Sequence, residues 1–175
     1  MSVKVKSNEK INLKISNKQF EIILKICLII GIIIISGFIF YYIFTPEPGY
    51  VTFGILNENQ RAEDYPTEAA VNESVFFYVT VDNYLNKEFT FQIKIKKGDN
   101  NTVRSSIGYS NGTLDSIIGN FTLKNNENWI SEKLNVSFSE VGANQIIITE
   151  LWKISNEVEE KFYNILWLRL NITVF

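Results

Sequence analysis

Asparagine is the residue type in this chain whose pattern carries chemistry. Six Asn-x-Ser/Thr triplets begin at Asn72, Asn100, Asn111, Asn120, Asn135 and Asn171. That triplet is the acceptor for an N-linked glycan, a bulky and solubilising group found on exported surfaces. Seventeen asparagines lie beyond residue 45. With Ser or Thr at about one position in seven there, chance supplies about two or three triplets, so six is an excess. The plainer alternative is that an Asn-rich composition inflates the count. Asn72, Asn100 and Asn111 fall in expected turns, and Asn120, Asn135 and Asn171 on the polar side of expected strands, where a sugar fits.

Other routes to chemistry are narrow. Histidine is absent, which removes the usual general base and the commonest metal ligand and excludes Ser-His-Asp, Cys-His and histidine-zinc sites. Cys27 is the single cysteine and lies in an apolar run, so neither an intrachain disulfide nor thiol catalysis is expected. Carboxylates remain: Glu58, Glu63, Asp64 and Glu68 cluster around Tyr65-Pro66. A calcium loop needs regularly spaced oxygen ligands with a turn glycine, and positions 58–68 lack that run, so a solvated loop is the reading preferred over a cation site. A glycosidase pair needs two carboxylates flanking one bond, and the sequence locates none. Trp129, Trp152 and Trp167 read as core in preference to a sugar-stacking platform, since a sandwich without disulfides needs large buried side chains. No cofactor is expected.

The elements that must position these residues follow from hydropathy and charge. Ile26 to Phe44 is 19 residues without a charge, enough at ~1.5 Å per residue to span a ~30 Å hydrocarbon core. A cleavable signal would have a shorter apolar region of about 7–15 residues ending at small side chains; here Phe40, Tyr41, Tyr42 and Phe44 occupy that end. An uncleaved anchor in the lipid bilayer is expected, with Pro46 and Pro48 ending its helix. Six lysines against two glutamates give +4 before residue 45, while 11 basic and 17 acidic residues give −6 beyond it. The lysines place the N-terminus in the cytoplasm and the rest outside, and the acidic outer part disfavours a nucleic-acid partner. The segments are a tail at 1–25, the span at 26–44, a linker at 45–49 and an extracellular domain at 50–175. The tail alternates Val3, Val5, Ile11, Leu13 and Ile15 with polar residues and does not follow a helical period.

Beyond the prolines the pattern has period two, the mark of strands with one apolar face. Phe89, Phe91, Ile93 and Ile95 alternate with Thr90, Gln92, Lys94 and Lys96; Val75, Phe77, Val79 and Val81 alternate likewise. Leu85-Asn86-Lys87 is short enough to join these two as a hairpin. Further strands are expected at 51–56, 102–108, 113–123, 130–138, 146–154 and 162–174, separated by turns such as Lys97-Gly98-Asp99-Asn100 and Ser155-Asn156-Glu157. Seven or eight short strands after one helix indicate an all-β, antiparallel, immunoglobulin-like sandwich, with a barrel second.

Phe53 to Glu68, with its Tyr65-Pro66-Thr67 core, followed by Val71-Asn72-Glu73 and the strand ending Val81-Asp82-Asn83, resembles the DUF1616 family of uncharacterised archaeal membrane proteins. Its pattern is Phe, Leu-Gly-x-Asn-Gly, an acidic residue, Tyr-Pro-Thr, Val-Gly-Glu and Asn-His-Glu; here Asn59-Gln60 and Asn72 stand at its glycines and Asn83-Tyr84-Leu85 at its last triplet. The resemblance covers about residues 50–175. It implies an archaeal cell-surface domain of unknown role and brings no catalytic residues. From the residues themselves, Pro66 sets a turn, Tyr65 packs on the sandwich, and the loop joins the first two strands.

The expected function is therefore a membrane-anchored surface module that binds another envelope protein or glycan, or serves as an accessory subunit, without being an enzyme. The alternatives are an envelope polysaccharide-acting enzyme using carboxylates and a passive glycosylated spacer. Intact mass spectrometry of the protein from a glycosylating host is expected to exceed the polypeptide mass by one or more glycans; a mass equal to the polypeptide's removes the modification.

Overall fold

The computed structural model describes residues 2–45, 48–155 and 159–174, with side chains from position 18 onward. Pro46 and the turn at Asn156-Glu157 lie outside the described residues, as do the tail side chains through residue 17. The chain forms two compact units, Met1–Glu47 and Pro48–Phe175.

The first unit is one helix, α1 (Ser2–Phe44), of 43 residues. It runs back through the lysine-rich tail without a break at 25, since the tail contains neither proline nor glycine to stop it. Lys18–Phe44 is long and apolar enough to cross a membrane, and none of that stretch is buried against protein. Phe38, Tyr42 and Phe44 are more than two-thirds exposed. Such a surface needs an apolar medium or a partner to cover it.

The second unit is built from nine strands: β1 (Val51–Leu56), β2 (Glu68–Ala70), β3 (Val75–Asn83), β4 (Phe89–Gly98), β5 (Thr113–Leu123), β6 (Glu127–Ile130), β7 (Leu134–Val136), β8 (Gly142–Ser155) and β9 (Glu159–Thr173). One sheet has the order β1-β3-β6, with β7 also paired to β3; the other has the order β2-β9-β8-β4-β5. Every pairing is antiparallel except β2 with β9, where Ala69 lies beside Ile172 in parallel. The first part of the chain thus contributes an edge to each sheet, β1 to one and β2 to the other. This arrangement makes the domain an all-β immunoglobulin-like sandwich after one apolar helix.

The alternating apolar faces meet between the sheets. Phe77, Val79 and Val81 of β3 face Phe89, Phe91 and Ile93 of β4 and Ile147 and Leu151 of β8, all fully buried. Each large apolar side chain so buried contributes about 1.5–3 kcal/mol, which allows the domain to hold together without a disulfide. Trp129 joins this core, its ring 5.5 Å from Phe91 and 4.6 Å from Phe121. Tyr65 packs on the core as expected and donates its hydroxyl to the carbonyl of Ile55 at 2.7 Å; burial raises its pKa above the ordinary tyrosine value.

Three expectations are corrected. β3 and β4 are not a hairpin: they lie in different sheets, and 84–88 is an arch between them. Its cause is Asn83, fully buried at the end of β3. Its Nδ2 donates to the carbonyls of Lys87 at 2.7 Å and Leu123 at 2.9 Å, and its Oδ1 accepts from Leu85 N at 3.0 Å. One side chain thereby satisfies backbone groups of the connection and of the end of β5, and turns the chain across the core. Gly49 packs against the same arch, where an added Cβ would lie 2.3 Å from the carbonyl oxygen of Tyr84. Residues 102–108 form a loop closed by a bridge between Ser105 and Gly108 instead of a strand. Residues 130–138 are divided between β6 and β7: Ser131 N still donates to the Val79 carbonyl at 2.9 Å, but Val79 N donates to the Ser131 hydroxyl at 3.0 Å in place of a strand carbonyl, and the ladder stops there.

The chain enters the sandwich at Tyr50, and loops 84–88 and 124–126 share this near end. Loops 57–67, 71–74, 99–112 and 137–141 lie at the far end. Asn83→Ala leaves buried carbonyls without donors, at about 1–3 kcal/mol for each. The full chain in detergent is expected to lose at least about 2 kcal/mol in chemical denaturation; a loss under ~0.5 kcal/mol means that the arch holds without Asn83.

Candidate functional site

All six sequon asparagines are exposed. Asn72 is in the turn between β2 and β3 with a left-handed φ of 63°, and Asn100 and Asn111 are in the loop between β4 and β5. Asn135 is the middle residue of β7, opposite Phe76, and Asn171 is near the end of β9. These five gather toward the far end of the sandwich. Asn120 stands apart, on β5 close to the near end. The Oδ1 of Asn111 accepts from Val103 N at 2.8 Å and that of Asn171 from Asn144 N at 3.1 Å. An engaged oxygen leaves Nδ2, the atom to which a glycan would attach, on the other side of the amide.

The acidic loop is organised from within. Asn57 is buried; its Oδ1 accepts from Asn59 N at 2.9 Å and Arg61 N at 3.0 Å, and its Nδ2 donates to the Glu63 carbonyl at 2.7 Å. The loop that results borders a cleft of ≈ 420 Å³ into which Glu58, Asp64, Glu68 and Glu73 open. Two of these are employed structurally: Glu58 pairs with Lys133, and Glu73 Oε2 accepts from Ala70 N at 2.6 Å. Among the described residues no group of three or more acidic or cysteine side chains is placed to hold a metal ion.

The three tryptophans do not form one surface. Trp129 belongs to the core, whereas Trp152 and Trp167 lie on the outer face of the five-stranded sheet. Trp167 is 45% exposed, with the Arg104 guanidinium 5.5 Å from its ring. Trp152 lies beneath Lys94, whose ammonium is 4.1 Å from the ring centre, and beside Tyr109. The same Lys94 hydrogen-bonds Glu160 and holds its carboxyl below the usual range.

Sequence reasoning missed the most buried charge. Glu150 of β8 has no exposed surface, and its carboxylate is saturated. Oε1 accepts from Ser110 N at 2.6 Å and Ser110 Oγ at 2.7 Å, Oε2 accepts from Trp152 Nε1 at 3.0 Å, and Lys96 Nζ lies 3.0 Å from both oxygens. Lys96 also donates to the Ser110 carbonyl at 2.9 Å. Lys96 was expected on a wet face, yet it is 9% exposed. The loop 99–112 folds over that face through Ser110 and Tyr109, where Ile146, Ile148 and Ile165, with Phe162 packed against them, make a second small core. Glu150 sits in a Thr149-Glu150-Leu151 stretch whose apolar neighbours hint at burial; its partner Ser110 is 40 residues away and gives no local signal. Enclosed and fully hydrogen-bonded, the cluster fixes the loop and is closed to a substrate.

No protein-family model matches the sequence, and no curated protein matches it. Among solved structures the chain is similar to the CARDB domain of the PF1109 protein from Pyrococcus furiosus. The crystal structure of that domain in complex with di-metal ions is 16% identical, with 74% of this chain and 92% of that chain covered and a TM-score of 0.47; its solution structure is 14% identical, with 74% and 100% covered and a TM-score of 0.48. A β-glucosidase from Listeria innocua matches at 13% identity over 71% of this chain and 16% of its own, with a TM-score of 0.45.

The Lys96–Glu150 cluster makes a quantitative demand. Lys96→Met strands a buried carboxylate and is expected to cost about 3–5 kcal/mol, whereas Lys96→Met combined with Glu150→Leu removes both charges and costs less than the single change. Denaturation of the full chain in detergent measures both. A single-variant loss under ~1 kcal/mol means that solvent reaches Glu150 and that the loop is not clamped.

Proposed function

We propose that the chain is a membrane-anchored cell-surface module. In this reading α1 holds it in the lipid bilayer with the N-terminus in the cytoplasm. The sandwich stands outside an archaeal cell and binds another envelope protein or glycan, or completes a membrane complex as an accessory subunit, without catalysis. The observation that carries the reading is the distribution of the sequons: all six asparagines are exposed, and five lie toward the end of the sandwich opposite the point where the chain enters it. Glycans there would coat one end of the domain and leave its flanks accessible. The left-handed backbone at Gln60 and Asn72, φ 59° and 63°, supports the DUF1616 resemblance, because those positions carry glycine in the family pattern and glycine favours that conformation.

A second reading, hydrolysis of an envelope polysaccharide, draws its support from the carboxylate-lined cleft at Glu58, Asp64, Glu68 and Glu73. Asp64→Asn with Glu68→Gln abolishes turnover of cell-surface polysaccharide under that reading and leaves the module's binding unchanged under the first.

The topology is tested on intact cells with a protease that does not cross the membrane. The domain beyond residue 48 is expected to be shaved away while an epitope at the N-terminus stays protected. Protection of the domain with loss of the epitope overturns the orientation, and recovery of the whole chain in the soluble fraction overturns the anchor.

A further inference from the structure

The five-stranded sheet has one long open side. Its order ends in β2 at one edge and β5 at the other, and β5 pairs with β4 alone among the described residues. β2 is three residues long, too short to template another strand. β5 has eleven residues, eight of them exposed, Leu114 and Ile117 at 50% and 53% among them. Proteins normally blunt such an edge with lysine, proline, bulges or brevity. Here Thr113–Leu123 contains neither lysine nor proline and is not short, so two register shifts against β4 are the only such device it carries. Its one charge, Asp115, is turned back to Lys97 on β4 at 2.6 Å. From Ser116 to Leu123 the edge is uncharged and rich in Ile and Phe, the composition that pairs strand to strand.

The register of β5 shifts twice against β4. Ile95 faces Ser116 while Lys96 faces Leu114, and Phe91 faces Phe121 while Ile93 faces Ile118. The second shift is a bulge at Gly119-Asn120, with Gly119 at φ +104°. Asn120 is exposed, and Asn120-Phe121-Thr122 is a sequon. It is also the sequon set apart from the five at the far end.

We propose that Asn120 is a modification site whose glycan shields the β5 edge, keeping it from pairing antiparallel with β5 of a second copy of this chain. The inference rests on the glycosylated-surface reading above. In the attachment, Asn120 Nδ2 bonds to the anomeric carbon of a lipid-phosphate-linked glycan donor. The carbon–oxygen bond to phosphate breaks, the lipid phosphate leaves with the electron pair, and one Nδ2 proton passes to the transferase base. A second copy is the partner that the edge fits: two identical uncharged stretches, Ser116 to Leu123, meet about a two-fold axis without like-charge repulsion.

The test uses the full chain from a glycosylating host, purified in detergent. Its readouts are glycopeptide mass spectrometry at Asn120 and light scattering for protein mass. Wild type is expected to carry the glycan. Asn120→Gln and Thr122→Ala, which remove the same sequon by different residues, are each expected to double the protein mass relative to wild type. Adding Ile117→Lys to either is expected to restore the wild-type mass, because a charge on the edge replaces the shield. Circular dichroism checks that each variant is folded, and where one is not the other carries the test. A glycan at Asn120 with unchanged mass in the folded variant overturns the shield and leaves the surface reading intact. An unmodified Asn120 beside other occupied sequons also overturns it. Six unmodified sequons overturn both the shield and the glycan reading, and larger aggregates that Ile117→Lys does not resolve show unfolding instead of edge pairing.

Discussion

The sandwich depends on one change of direction, made at Asn83. Two adjacent strands with matching apolar faces, Val75–Asn83 and Phe89–Gly98, would form a two-stranded ribbon if the connection between them were a tight turn. A ribbon buries neither face. Asn83 instead binds the carbonyls of Lys87 and Leu123 and the Leu85 amide from a fully buried position, so the chain crosses from one sheet to the other and the two faces meet. The core of Phe77, Phe89, Phe91 and their neighbours exists because of that crossing. The polar group is affordable in the interior because its hydrogen bonds are made.

The same economy governs the outer face of the larger sheet. An antiparallel sheet ordinarily leaves one face to water, and the lysines of β4 suit that role. In this domain the loop from Asp99 to Gly112 lies over it instead, held by Ser110 on Glu150 and Lys96. A buried ion pair adds little net stability, but separating its members is costly. The cluster therefore specifies where the loop goes more than how stable the domain is. The far end of the sandwich thus receives a loop carrying Asn100 and Asn111 that is held by side-chain bonds.

Surface and interior divide the chemistry cleanly. The charge most deeply enclosed is saturated by its partners, and the acidic side chains that reach the surface cleft either brace the fold, as Glu58 and Glu73 do, or face solvent. Beside the exposed amides of the six sequons the domain presents apolar side chains such as Val103, Ile107, Leu114 and Ile117 to its surroundings.

The sequence by itself determined the apolar helix, the strands at 51–56 and 113–123 to the residue, the exposure of the six asparagines, and the packing of Tyr65. All follow from local pattern, since a run of apolar residues, a period of two and a turn residue act on near neighbours. Tertiary structure alone decided that β3 and β4 lie in different sheets, that β2 pairs in parallel with β9, that 102–108 is a covering loop, and that Lys96 is buried. A period of two tells which side of a strand is apolar but not which strand lies beside it or what covers the other side. Those depend on partners such as Glu150 for Ser110 and Leu123 for Asn83, each 40 residues distant along the chain, and contacts at that range are set by the packing of the whole domain.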